Sequence, residues 1–150
     1  MDNKFGFGRV IENIATMKKV LPVQIANQAR NFFMDSFNAQ GWEDNGLHKW
    51  PEVQRRIPGT KAYKYPKTKG LSRRTSAILV RSGTLRRAVG MSIKRSTMDQ
   101  VLLSVAVPYA EYQNDGTKTI PKREFMGHSA TLERMQEAKI DESISNIFNK

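Results

Sequence analysis

Residues 89–107 read VGMSIKRSTMDQVLLSVAV, and their periodicity decides whether the chain is all-helical or mixed. Val89, Met91 and Ile93 alternate with small or polar residues, and Val101, Leu103, Val105 and Val107 do the same. A period of two places each set on one face of a strand. The polar residues 95–100, RSTMDQ, lie between them as a hairpin turn. The stretch therefore predicts a half-buried antiparallel sheet whose alternating apolar residues face a helix. A further strand is expected at 76–81 around Ile78-Leu79-Val80. A short edge strand is expected at 117–120, ended by Pro121, which has no amide to offer a ladder.

Outward from this region the period changes. Ile11, Ile14, Met17, Leu21, Ile25, Ala29, Phe33 and Phe37 recur at helical spacing, the last five at intervals of four. Pro22 interrupts them, so the pattern predicts a short helix before it and a longer one over 22–39, closed by Gln40-Gly41. A final helix is expected over 129–148, with Ser129 as N-cap and Leu132, Met135, Ile140, Ile144, Ile147 and Phe148 as its apolar face. Residues 41–76 show neither period over most of their length and read as one long basic loop. The expected architecture is a single α+β domain over residues 1–150: N-terminal helix, long basic loop, three- to four-stranded mainly antiparallel sheet, C-terminal helix.

Charge is unevenly distributed. Between Lys49 and Arg87 twelve lysines and arginines face a single acid, Glu52, so this segment holds the whole net charge of +11. Such a concentration suits an anionic surface, such as nucleic acid, membrane headgroups or the acidic face of a partner. Tyr63 and Tyr65 interleave with the lysines as single-strand binding surfaces do, although a solvated loop has the same composition. The absence of cysteine removes disulfides, thiolate metal sites and thiol nucleophiles. No run approaches the roughly 18 apolar residues of a membrane span. The opening MDNKFGFGRV lacks the apolar block of a secretion signal, which predicts synthesis in the cytoplasm and no membrane partner.

Catalytic chemistry finds little support. His48 and His128 are the two imidazoles and share no metal-binding spacing. Glu111 and Asp115 fall around the turn signal Asn114-Asp115-Gly116 without an accompanying base or ligand. Arg81-Ser82-Gly83-Thr84-Leu85-Arg86-Arg87 lacks the glycine spacing and ending of a phosphate loop; it reads as a strand-to-strand bend with Gly83 relieving the backbone and Leu85 returning to the core. No enzyme activity, metal or cofactor is expected.

Four motifs in order carry a resemblance. They are Gly41-Trp42 with Trp50-Pro51; Ile78-Leu79-Val80-Arg81-Ser82-Gly83-Thr84-Leu85-Arg86; Tyr109-Ala110 with Tyr112 and Gly116; and Ile120-Pro121-x-Arg123-x-Phe125-x-Gly127. Together they resemble the phage virion morphogenesis family, the tail-completion or neck proteins of Mu-like phages, and more distantly the tail-completion and terminator group of siphophages. Glu124 stands where the family often has a second proline, and QNDGT lengthens its aromatic-glycine turn.

The resemblance implies a non-enzymatic structural protein of the virion neck, made in the host cytoplasm, that completes the tail and joins it to the head. It implies a homo-oligomeric, hexameric ring in contact with neighbouring neck and tail proteins. A tail terminator and a basic nucleic-acid-binding module are the alternatives. On this reading Trp50, Tyr109, Tyr112, Pro121, Arg123 and Phe125 dock a neighbouring subunit or neck protein, Arg123 by a multidentate contact with a carboxylate. Phe125 has a second possible place, wholly within its own core. Arg55, Arg56, Lys61, Lys64, Lys67, Lys69, Arg73 and Arg74 would meet genomic DNA or an acidic partner, two faces that the residues alone do not distinguish.

Overall fold

The computed structural model describes residues 6–66 and 75–149. Its elements run α1 (Phe7–Ala39), β1 (Gly41–Glu43), β2 (Leu47–Lys49), a 3-10 turn (Gln54–Arg56), α2 (Lys61–Lys64), α3 (Thr84–Gly90), β3 (Ile93–Ser96), β4 (Val101–Leu103), α4 (Ala110–Asp115) and α5 (Ala130–Phe148). The class is α+β, with a long helix at each end and two antiparallel two-stranded sheets between them. No helix among the described residues is long and apolar enough to cross a membrane.

Pro22 does not divide α1, which is continuous from Phe7 to Ala39. Proline removes the donor for the carbonyl four residues earlier. Leu21, Pro22, Ala26, Ala29, Phe33 and Phe37 are nevertheless all buried on the side facing the rest of the chain, and this packing outweighs the lost bond. Gln40 ends the helix in the left-handed conformation at φ 51°. Glycine is commoner there, but the Gln40 side chain has work that glycine lacks: its Oε1 accepts from Ile78 N at 3.0 Å and Arg56 Nη1 at 3.2 Å.

Within the expected loop at 41–76, the described residues 41–66 are more ordered than their composition suggested. Gly41–Glu43 and Leu47–Lys49 pair as a hairpin across Asp44-Asn45-Gly46, with Asn45 and Gly46 both at positive φ. Asn-Gly between two short apolar-containing segments is the signal that predicts this turn. The hairpin buries Trp42, which stacks on Phe33 with ring centroids 6.1 Å apart and meets the edge of Phe32 at 5.6 Å.

The stretch 89–107 forms its hairpin as β3 and β4, turning at residues 97–100 and packing on α1. Both strands are shorter than the alternation suggested. Val89 belongs to α3 and is fully buried, while Met91 is exposed. Two other expected strands are absent. Residues 76–81 form a turn with Val80 N donating to Ala77 O. Residues 117–120 form another, in which the Thr117 hydroxyl accepts from the amides of Thr119 and Ile120. Side-chain capping of these amides competes with ladder pairing. Gly83, at φ 74°, leads into α3 rather than joining two strands.

α5 begins as expected at Ser129, whose Oγ accepts from Leu132 N at 3.2 Å and donates to Glu43 O at 2.8 Å. The helix lies antiparallel to α1, tied by Asn13 Nδ2 to Ile147 O and Gln28 Nε2 to Met135 O. Phe33, Phe37, Trp42, Trp50, Ile78, Leu85, Val89, Phe125 and Leu132 share one core. Phe125 is only 2% exposed and meets Phe37 at 5.5 Å, so Phe125→Ala is expected to cost about 3–5 kcal/mol in denaturant unfolding. A loss below about 1 kcal/mol would contradict its place in the core.

Candidate functional site

The segment TIPKREFMG, residues 119–127, crosses the molecule as a strap. Gly116 begins the crossing at φ 79°; a side chain there would come within 2.8 Å of Lys122 N. From this point the strap is held on both sides. Arg123 N donates to Gln113 O at 2.9 Å, and the amides of Phe125 and Met126 both donate to Asn114 Oδ1, at 3.0 and 3.1 Å. Asn114 and Gly116, read in sequence as a turn, thus close α4 and anchor the strap.

Three of the six expected docking residues lie inside the chain. Trp50 is buried against Phe37 and donates Nε1–H to Glu124 O at 2.7 Å. Arg123 is buried as well, and its contact is not with a carboxylate: Nε donates to Pro51 O at 3.0 Å and Nη2 to Glu52 O at 3.3 Å. A planar guanidinium can join two successive carbonyls in this way. Phe125 is buried in the core against Phe37. Tyr109, Tyr112 and Pro121 are exposed and remain available to a partner.

The basic residues separate into distinct settings. Arg55 donates to the carbonyls of Ser76 and Ala77, both at 3.1 Å, and Arg56 pairs with Glu52 at 3.3 Å and with Gln40. These two fasten the segment to the fold. Lys61 and Lys64 on α2 are exposed, with Tyr65 and Ile57 beside them in sequence. Lys67, Lys69, Arg73 and Arg74 lie outside the described residues.

Sequence periodicity misjudged the outer part of α5. Leu132 and Ile147 are buried, but Ile140, Ile144 and Phe148 are 38%, 45% and 67% exposed. On α1 no residue before Leu21 is buried, and Ile11 is 65% exposed. One side of this helical pair is a groove of about 330 Å³ lined by polar and apolar residues together, Asn13, Lys139 and Glu142 beside Met17, Val20 and Ile147. At about 100° per residue, Ile11 on α1 and Ile140, Ile144 and Phe148 on α5 turn to the opposite side. There they form a second, apolar face. Toward the core this face approaches a further groove of about 400 Å³ between β4 and α5, lined by Ile25, Leu102, Leu103 and Leu132 among others. Glu133, Glu137 and Asp141, spaced by four, run beside the Ile140–Ile144–Phe148 line.

A different cavity, of about 590 Å³, lies where Arg55, Arg81 and Arg123 converge with Ser82, Thr84 and Tyr109. Burial, with the nearby Arg55 charge adding to it, pushes the Arg123 guanidinium below the ordinary arginine range; Glu52 opposes the shift. A third cavity, of about 440 Å³, holds both histidines. His48 there meets Asp44 O at 3.1 Å, and exposed His128 lies 3.4 Å from Glu133. Among the described residues no group of His, Asp or Glu side chains is arranged to hold a metal ion.

Compared with known proteins, the chain matches no family model, no curated protein and no solved structure. The site must therefore be understood from its own geometry. Arg123→Lys keeps the charge but cannot satisfy both carbonyls from one nitrogen in the same plane, and is expected to cost about 2–4 kcal/mol in chemical denaturation. An unchanged midpoint would show that the strap is held without it.

Proposed function

We propose that this chain is a structural subunit of a phage virion neck, completing the tail and joining it to the head as one member of a homo-oligomeric ring. The observation that carries this reading is the apolar face of the α1–α5 pair, which its own chain leaves in water. From Ile140 to Phe148 the exposed line on α5 is about 12 Å long, and Ile11 on α1 widens it across a second helix. The four-motif likeness to the virion morphogenesis family supplies the biological setting, and tail termination is the closest alternative within it.

The occupant that fits the face is a second copy. Ile140, Ile144 and Phe148 are flanked by Glu137 and Asp141, whereas Ile57 and Tyr65 are exposed around the lysines Lys61 and Lys64. Each subunit thus carries an apolar surface edged with acid and another edged with base. Two unlike surfaces that complement each other make a head-to-tail contact, and such contacts close into rings when the rotation permits. The buried Trp50, Arg123 and Phe125 hold the frame on which both surfaces are carried, while Tyr109, Tyr112 and Pro121 remain for neck partners.

Two measurements test this reading. Antibody-gold electron microscopy on particles from a lysate of the source phage should label the neck; intact particles without label would overturn the assignment. In sedimentation velocity, Ile144→Lys is expected to weaken self-association at least about 100-fold with an unchanged unfolding midpoint, because a buried unpaired ammonium opposes the contact. Equal association of variant and wild type would exclude this face.

A further inference from the structure

β4 pairs with β3 on one side only. We infer that its free edge receives an extended segment of another protein, which adds to the sheet as a third strand and carries a lysine or arginine two residues from an apolar side chain. The site is separate from the self-association proposed for α5 and stands if that contact fails. Ser104 N donates to Ser92 O, and Gln100 exchanges both backbone bonds with Thr97, so positions 100, 102 and 104 face β3. In an antiparallel ladder the intervening residues point the other way. Val101, Leu103 and Val105 therefore turn their backbone groups outward, and among the described residues the Val105 amide makes no hydrogen bond. Edges of this kind are ordinarily blunted by charge or proline. On β3, Lys94 and Arg95 are exposed, whereas residues 101–107, VLLSVAV, carry neither charge nor proline. Their side chains alternate between half-buried and exposed as far as Val107, beyond the end of β4.

The edge opens onto a groove. One end is the hollow of about 400 Å³ bordered by Val101, Leu102 and Leu103; the other is a hollow of about 270 Å³ bordered by Leu103, Ser104 and Val105. Successive side chains point to opposite faces of a strand, so three residues in a row border a space that lies along the strand's edge. Met126 of the strap belongs to the walls of both hollows. Buried Phe33 and Leu132 line the first, and buried Ala110 and Phe125 line the second. The two hollows are offset by two residues of β4, which matches the roughly 7 Å between same-face side chains of an incoming strand.

Their chemistry differs. The first hollow is lined by apolar residues apart from Gln136. The second is bordered by Glu111 and Asp115 and by no cation, and among the described residues Glu111 has no ion pair. Lys122, which feels the charge of Asp115, is bonded to Glu124 at 2.7 Å. A strand that sets an apolar side chain in the first hollow thus meets two carboxylates two residues away, where lysine or arginine is complementary. Antiparallel pairing, the more stable kind, places the cation before the apolar residue. A second copy pairing through the same edge would present VLLSVAV, which has no cation, so the occupant is a different protein.

The test titrates the full chain with the hexapeptide acetyl-TKTITV-amide, followed by NMR chemical shifts and amide hydrogen exchange. Saturable binding is expected, with the Leu103 and Val105 amides becoming protected. Val105→Pro removes an outward donor that its own fold does not use, and is expected to weaken binding at least about tenfold. Should that variant fail to fold, a peptide N-methylated at every amide makes the same comparison from the other side of the ladder. Exchanging the peptide's lysine for glutamate is expected to weaken binding about fivefold, and Glu111→Gln to remove most of that difference. No saturable binding, equal binding by the N-methylated peptide, or equal binding by the glutamate peptide would overturn the inference. So would protection of the two amides that grows with protein concentration alone, which would put a second copy on the edge.

Discussion

The structure depends on the interlock of two segments more than 70 residues apart: the strap at Arg123-Glu124-Phe125 and the turn at Trp50-Pro51-Glu52. Each segment satisfies the other's polar groups. The indole of Trp50 donates to the strap, Arg123 donates back to two carbonyls, and Phe125 and Trp50 both press on Phe37 of α1. Buried carbonyls left without donors cost free energy, so the aromatic packing and the hydrogen bonds stand or fall together. The hairpin β1–β2, the strap and the start of α5 follow from this lock, because Ser129 and Thr131 bond to the same hairpin that leads into Trp50.

With the lock inside, the outer parts of α1 and α5 have nothing from the described core to cover them. The two helices pair with each other through Asn13 and Gln28 and leave isoleucines on the remaining side. On the proposed reading this remaining side is where a second copy docks. The basic segment has a corresponding division of labour. Arg55 and Arg56 are structural fasteners, Lys61 and Lys64 face outward, and Arg81 joins Arg55 and Arg123 at a separate cavity. The uneven charge visible along the chain therefore serves several purposes in the fold.

Much of this was legible from local signals. The 3.6-residue period gave both long helices, Ser129 gave an N-cap, and the polar run at 95–100 gave the β3–β4 turn. The failures arose where a long-range partner decides. Val89 alternates like a strand residue but is drawn into α3, and 117–120 satisfies its amides through Thr117 instead of a neighbouring strand. Arg123 could be recognised as a multidentate residue, but not that its acceptors would be the carbonyls at 51 and 52. Likewise, an apolar helix stripe is identical in sequence whether its cover is its own core or another subunit; Ile144 and Leu132 differ only once the fold is known. The Asn45-Gly46 turn was the one missed feature with a clear local signal.

The central claim, that one copy's α5 face receives the next copy's basic surface, is tested most directly by zero-length carbodiimide cross-linking followed by peptide mass spectrometry. Links from Glu137 or Asp141 to Lys61 or Lys64 are predicted in the oligomeric bands and not in the monomer band. An assembled protein whose oligomers lack those links, or join the α5 faces of two copies to each other, would contradict the account.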